Sequence, residues 1–510
     1  MGYSSWAEIE PTATPAERQL KACAEAGEPC VLGPYGSPPP APEDWKALDP
    51  TRHIRANVLQ FIVLSQITTK KGIQLTGADI VEPIDFESAK IPFSCTFKNC
   101  RSLAEITFAN AHLTGTLAFE NCCLRALNAS NMEITSQLIL RDTHFIKEIG
   151  IGLMLQGARI GEGAYLAGIK MHSCAKLSGM NIGGALELQN ASFSKSKGTD
   201  ADSYALSLEN TQIMAQLAWQ NVSCSEGIIS FTGSSIATLD DRDRAQGNGP
   251  DDIATWAGNA ELILNGFTYD QITGATDAKT RLAWLAKGDH LDGEFFPHPY
   301  KQLAKVLYDM GHEADAREVL FTLEQKLSIE RQNTLRQDIK TLRQTAPETG
   351  LDIAQMLLLG IERGKDWLLR SIIGYGYKPF RSLAALILLV FLFWLFTLAA
   401  WHTGGFAPNS GVILTSPDWT ALGTQHPNAA AAWATLAPAG QDWESFGSFA
   451  YALDVVIPII EFGQTDAWAP STSRGLAGSI LWWARWPFII AGWIVTALGA
   501  AALTGVIQRK

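Results

Sequence analysis

Asp454 and Glu461 are the two carboxylates of an otherwise apolar stretch, residues 446–463 (FGSFAYALDVVIPIIEFG), with Pro458 between them. Repeated around the axis of an oligomer they would line a cation path; at a wet interface, with Pro458 merely kinking the chain, they would carry nothing. At a helix centre in a bilayer each would cost about 3 kcal/mol, so a re-entrant or interfacial segment is expected over a span. His290, Asp292, His298 and His312 form the densest His and acid group, for which helix-cap and surface roles are expected over a metal. Of eight cysteines, Cys95, Cys100, Cys122, Cys123, Cys174 and Cys224 stand where Ala or Ile stands in neighbouring repeats, and read as buried small residues in a reducing compartment. There is no CxxC, no zinc spacing, no phosphate loop, and no G-x-G-x-x-G between a strand and a helix. No catalytic, cofactor-binding or metal residue is assigned, and a non-enzymatic protein without a cofactor is expected.

The elements that hold these residues begin with a repeat over residues 73–269. A large apolar residue, a spacer, a second large apolar residue, two spacers, a small residue, a spacer and an apolar residue recur, as in IQLTGADI from Ile73, ITFANAHL from Ile106 and LELQNASF from Leu186. The second apolar position runs Leu75, Phe86, Phe97, Phe108, Phe119, Leu140, Leu155, Leu166, Leu177, Leu188, Leu208, Trp219, Phe231, Leu264, mostly eleven residues apart. Alternation with period two signals a strand, and the Gly or Asn at Gly77, Asn110, Asn121, Gly157, Asn190, Asn210 and Asn221 signals a corner. A unit this short cannot bury its own apolar face, so the expectation is a mainly β fold, a parallel β-solenoid with one strand and one corner per unit and about two units per coil. A leucine-rich repeat would need about 20 to 29 residues per strand.

The array breaks at residues 193–207 and 239–261. The second break carries Asp240, Asp241, Arg242, Asp243, Arg244, Asp251 and Asp252, read as a solvated acidic loop, with a cation site as the alternative. Ile54, Val58, Leu59, Ile62 and Val63 recur at helical intervals, and the stretch, as a helix or a first strand, would cap the open end of the stack. After residue 270 the period becomes helical, with Leu303, Val306 and Leu307 facing Ala316, Val319, Leu320 and Leu323 across Gly311, and a basic flank continues through Arg331, Arg336, Lys340 and Arg343.

Residues 382–401 (SLAALILLVFLFWLFTLAAW) are uncharged and long enough to cross a bilayer, and residues 486–507 form a second such stretch behind Trp482, Trp483 and Trp486. Lys365, Arg370, Lys378 and Arg381 precede the first, whereas residues 402–447 contain no Lys or Arg. The positive-inside rule then puts the solenoid in the cytoplasm, and Arg509 and Lys510 put the C-terminus there too; Arg474 and Arg485 would lie outside. The net charge of −11 excludes a general nucleic-acid binder.

HPYKQLAKVLYDMGHEADAREVL from His298, GYGYKPFRSL from Gly374, ALDVVIPIIEFGQ from Ala452 and GWIVTALGAAALTGVIQRK from Gly492 resemble segments of a group of bacterial membrane-anchored solenoid proteins. Some of that group are pentapeptide-repeat-like, and some are labelled membrane-associated oxidoreductases. The resemblance implies a solenoid, a membrane anchor and a bacterial inner-membrane location, and transfers no catalytic residue.

The expected domains are a flexible or loosely docked arm over 1–50, a cytoplasmic solenoid with its N-terminal cap over 51–270, a helical hairpin cap over 271–345, an amphipathic juxtamembrane helix over 346–381 and a membrane domain over 382–510. The expected function is a membrane-anchored scaffold or sensor whose solenoid binds a protein partner. The alternative is a homo-oligomeric channel or membrane-perturbing effector, and a membrane-associated oxidoreductase comes third.

Overall fold

The computed structural model describes residues 3–33, 51–65, 67–197, 203–242, 256, 260–291, 293–345 and 351–504. It contains a parallel β-solenoid of about seven turns. Four ladders run along it, so each coil has four sides. The first face stacks Ile73, Cys95, Leu117 and Leu138. The second stacks Asp79, Arg101, Cys123 and His144; the third Ile84, Ile106, Leu127 and Leu153; the fourth Lys90, His112, Glu133 and Arg159. Each eleven-residue unit thus folds as two short strands, where a single strand was expected. The repeating phrase bends in its middle: its first two apolar residues occupy one side and its last the next.

The bend is made by the residue two places after each anchor. Asn99, Asn110, Asn121, Asn131, Asn190, Asn210 and Asn221 lie at φ between 50° and 58°, and Gly77, Gly157, Gly168, Gly179, Gly233 and Gly266 take the same left-handed position elsewhere. Asn and Gly adopt this region at least cost, which is why these two types recur there. Where asparagines stack they bond to one another, Asn121 Nδ2 donating to Asn99 Oδ1 at 2.6 Å and Asn221 Nδ2 to Asn190 Oδ1 at 2.8 Å.

All fourteen anchors of the repeat are buried, none above 3% exposed, so side chains fill the coil interior. Coils stacked at the strand spacing bring like residues into register. Phe86 stacks on Phe108 at 4.9 Å and Phe97 on Phe119 at 4.8 Å, each pair contributing about 0.5–1.5 kcal/mol beyond burial. The cysteines are free, and the six of the repeat are buried, as expected.

Coil length varies along the stack. Paired residues are 22 apart for Ile73 and Cys95, but 26 for Leu138 and Ala164, 31 for Leu186 and Leu217, and 33 for Leu239 and Ile272. The first two insertions leave between the second and third faces, after Phe145 and Phe193. The third leaves after the first face at Asp240 and rejoins at the third face at Glu261.

The described part of the expected arm is folded onto the solenoid. Helix α1 (Pro15–Ala26) starts in a capping box of Thr14 and Glu17, and Cys30 pairs with Leu75 as an extra rung of the first face. Glu17 is fully buried and accepts from Arg55, at the start of helix α2 (Ala56–Leu64). The expectation of a loosely held segment is corrected here, because a helix with one buried carboxylate needs its arginine; residues 34–50 lie outside the described residues. The cap, left open in sequence between a helix and a first strand, is a helix, and Val58, Leu59, Ile62 and Val63 of α2 are buried.

At the other end the cap holds one helix more than the expected hairpin. Helices α3 (Ala278–Leu285), α4 (His298–Asp309) and α5 (Glu313–Thr345) follow the last coil. Side chains of α4 satisfy backbone groups of that coil: Gln302 donates to the Tyr269 carbonyl at 2.6 Å, and the Gly266 N–H donates to His298 Nδ1 at 3.2 Å. Burial, helped by Lys301, pushes His298 below the usual imidazole range, which keeps Nδ1 free to accept.

Residues 321–510 form a second compact unit. It holds the remainder of α5, helix α6 (Leu351–Leu368), and helix α7 (Phe380–His402), which is long and apolar enough to cross a bilayer. Helices α8 (Pro417–Gln425) and α9 (Ala429–Leu436) follow, then α10 (Ser448–Val456) and α11 (Gly475–Leu503). The second apolar helix, expected over 486–507, therefore begins at Gly475. The early start carries Arg485, whose guanidinium lies over the indoles of Trp482 and Trp486 at 5.1 and 4.8 Å. Arg509 and Lys510 lie outside the described residues.

Candidate functional site: the short helix between two apolar helices, and the basic elbow before them

Helices α7 and α11 run antiparallel, with Phe393 against Phe488 at 5.0 Å and Ser382 beside Gly499. Glycines of α11 set how closely the backbone can be approached. A Cβ on Gly492 would meet the Val456 carbonyl oxygen at 1.8 Å, and one on Gly478 would meet the Gly405 backbone. Gly492 is thus where the end of α10 seats. At nine residues α10 is about 14 Å long, half of what a bilayer core requires.

After α10 the chain passes Pro458 and reverses. Asp454 organises the reversal: its carboxylate accepts from the backbone N–H of Phe462, from that of Gln464 at 2.8 Å and from that of Thr465 at 3.3 Å. Gln464, itself buried, continues the network by accepting from the Gly447 N–H at 2.8 Å and donating to the Ser445 carbonyl at 2.9 Å. Glu461 is exposed and Pro458 half-buried. The two carboxylates therefore have different surroundings, Asp454 engaged by backbone donors and Glu461 facing outward. Beneath the turn lies an aromatic cluster in which Trp401 stacks on Phe446 at 4.0 Å and Trp468 Nε1 donates to the Glu444 carbonyl at 2.8 Å. The sequence reading missed Gln464 and this cluster, whose members are too far apart in the chain to form a spacing pattern.

The basic residues gather at an elbow. Helix α6 ends in a π-turn, and Gly374, Tyr375 and Gly376 then take φ of 53°, 55° and 92° before α7 begins. The tyrosine is held there by its hydroxyl, which donates to Asp366. Burial, then Asp366, pushes the phenol well above its ordinary range. Beside it opens a polar cavity of about 160 Å³ bounded by Glu324, Arg331, Glu362, Lys365 and Asp366. Lys365 pairs with Glu362 at 3.3 Å, Arg370 is exposed, and Lys378 Nζ lies 4.3 Å above the Phe321 ring. Arg381 faces the same ring at 5.4 Å and donates to the Arg370 carbonyl at 3.0 Å. The glycines flanking Tyr375 were the visible signal for this turn.

The remaining polar groups are separate. His290 pairs with Asp289, His298 caps the last coil and His312 lies 4.0 Å from Asp315, while Asp292 is outside the described residues. Among the described residues no group of three His, Cys, Asp or Glu is arranged to hold a metal. The acidic break is corrected: the side chains of Asp240 and Asp241 are shut away from solvent, the first paired with Arg242 and the second with Arg281. These two carboxylates anchor the chain where the interrupted coil leaves the stack. Asp243, Arg244, Asp251 and Asp252 lie outside the described residues. Burial pushes the thiols of Cys95 up to about 12 and of Cys123 and Cys224 to about 11, so thiolate is scarce at neutral pH.

Comparison with protein-family models, with curated proteins and with solved structures finds no match.

Proposed function

We propose that the protein is a membrane-anchored scaffold or sensor whose solenoid holds a protein partner along the edge where its longer loops emerge. The observation that carries this reading is the shared origin of those loops. Two departures from the 22-residue coil leave between the second and third faces and meet there, Lys197 Nζ lying 2.9 Å from Glu148 and the Gly150 N–H donating to Ser196 Oγ at 2.7 Å, while Lys195 Nζ meets Glu226 of the following coil at 3.2 Å. Ile149 stands 68% exposed among these charges, an apolar contact in a polar rim. Irregular loops on one side of a regular stack are where such folds vary without disturbing their core.

In this reading α7 and α11 anchor the chain in a bacterial inner membrane with the solenoid and both termini in the cytoplasm. The cations Lys365, Arg370, Lys378 and Arg381 ahead of α7, against none in residues 402–447, support that sidedness. A photo-crosslinking side chain at Ile149 or Lys195 of the full protein in its own membrane is expected to capture one and the same partner, and one at Gln212 on the fourth face none. Equal capture from both faces, or from neither, rejects the edge as the binding surface.

A second reading, a homo-oligomeric channel, is favoured by one feature: a half-length helix, α10, packed between two apolar helices with Glu461 exposed beyond it. It requires several copies around an axis in detergent and cation flux in liposomes that falls on Glu461→Gln. A monomer, or flux indifferent to that change, removes it.

A further inference from the structure

We propose that the groove flanked by the elbow, α7 and α11 is a binding site for one anionic phospholipid, with an acyl chain lying along its alanines and the phosphate held at Arg381. The proposal rests on the reading of α7 and α11 as membrane-spanning.

The groove has a volume of about 630 Å³. Ala384, Ala385 and Ala491 form its floor, and Trp367, Leu388 and Ile494 are among its walls. Three small side chains among the Trp, Leu, Ile and Val of the lining leave room for something else apolar. Along α7 the lining runs from Arg381 to Leu389, about 12 Å at 1.5 Å per residue, close to the roughly 15 Å of hydrocarbon in one leaflet. Polarity is confined to one end, where Arg381 contributes the lining's charge. A charged head and a uniformly apolar tail of one-leaflet length is the profile of a phospholipid.

Charge selects the headgroup. The partners of Arg381 are the Arg370 carbonyl and the Phe321 ring, and among the described residues no carboxylate pairs with it. The rest of its guanidinium fork is available to a phosphate, which it fits with two parallel bonds. Lys378 lies over the same ring, so two cations converge on one aromatic face and favour a net negative headgroup over a zwitterionic one.

The test uses the full chain reconstituted in bilayers of phosphatidylglycerol and phosphatidylcholine in equal parts, then transferred to detergent for native mass spectrometry. One phosphatidylglycerol per chain is expected to stay bound. Arg381→Gln should weaken its retention about five- to tenfold over phosphatidylcholine. Ala385→Trp, which fills the floor, should abolish retention of either lipid, with helix content checked by circular dichroism. Equal retention of both lipids, retention unaffected by Ala385→Trp, or a second copy of the chain in place of lipid overturns the proposal. Extraction of the protein by alkaline carbonate would instead reject the membrane reading beneath it; a chain that resists extraction yet selects no lipid rejects the site alone.

Discussion

Arg281 donates to both carboxylate oxygens of Asp241, at 2.6 and 2.9 Å, with both side chains shut away from solvent. The pair joins the departing end of the longest loop to helix α3, and Trp256 Nε1 adds a third bond to the same carboxylate at 2.9 Å. Removing one partner leaves a buried charge alone. Asp241→Ala is therefore expected to destabilise the solenoid by about 3–5 kcal/mol, and the apolar pair Asp241→Leu with Arg281→Met by less than Asp241→Ala alone. Denaturant titration of the three forms measures both; an Asp241→Ala midpoint equal to that of the parent contradicts the expectation.

Glu17 and Arg55 predict an acid limit for the N-terminal cap. Burial, the largest single influence, raises the Glu17 carboxyl, but hydrogen bonds from Arg55 and Thr14 outweigh it and hold the group below its ordinary 4.5. A depressed carboxyl contributes stability above its unfolded value, and that contribution fades as pH falls through the folded one. Unfolding followed between pH 3 and 6 should show stability dropping below about pH 4.5. Glu17→Gln should lower stability at pH 6 and flatten the slope below 4.5; a parallel slope would assign the acid limit to other carboxylates.

The corners make a sharper claim. Asn121 sits at φ 51° and donates to Asn99, so Asn121→Gly should cost little, losing one partly buried bond while keeping the turn. Asn121→Val, with a branched side chain in the left-handed region, should cost about 1–3 kcal/mol. The ordering of the two variants in thermal melts is the measurement, and Val matching Gly would show that the corner is unstrained.

Gly492→Leu should unseat α10, because even a Cβ there would sit 1.8 Å from the Val456 oxygen. Limited proteolysis in detergent should then cut within residues 457–463. Gly364→Ala on α6, where a Cβ meets nothing within 4 Å, should stabilise that helix by up to about 1 kcal/mol and leave the cutting pattern unchanged. Protection of 457–463 in Gly492→Leu would mean that α10 does not depend on the close approach.

The solenoid was legible because its determinants are local. Leu75, Phe86 and Phe97 announce the interior by spacing alone, and Asn110 or Gly157 announces the corner by residue type. That each unit has two sides was harder to see, since Ile80 and Ile84 belong to different faces yet are separated by only a short bend. Burial of Asp240 and Asp241 was hidden because their arginines differ in distance: Arg242 is two residues away and Arg281 forty, and composition reports neither pairing. At the candidate site, Asp454 was identifiable as a costly carboxylate, while its backbone donors at Phe462, Gln464 and Thr465 exist only once the chain has reversed. Trp482, Trp483 and Trp486 read in sequence as a belt ahead of the last helix, whereas Trp482 and Trp486 lie against Arg485 within it.

Helices α2 and α3 with α4 close the stack at both ends, the latter through Gln302 and His298 on the last rung. At the last rung these side chains occupy the Tyr269 carbonyl and the Gly266 N–H, two backbone groups that another chain would otherwise pair with. Head-to-tail fibre growth, the hazard of any parallel strand stack, is opposed wherever a helix covers an end rung.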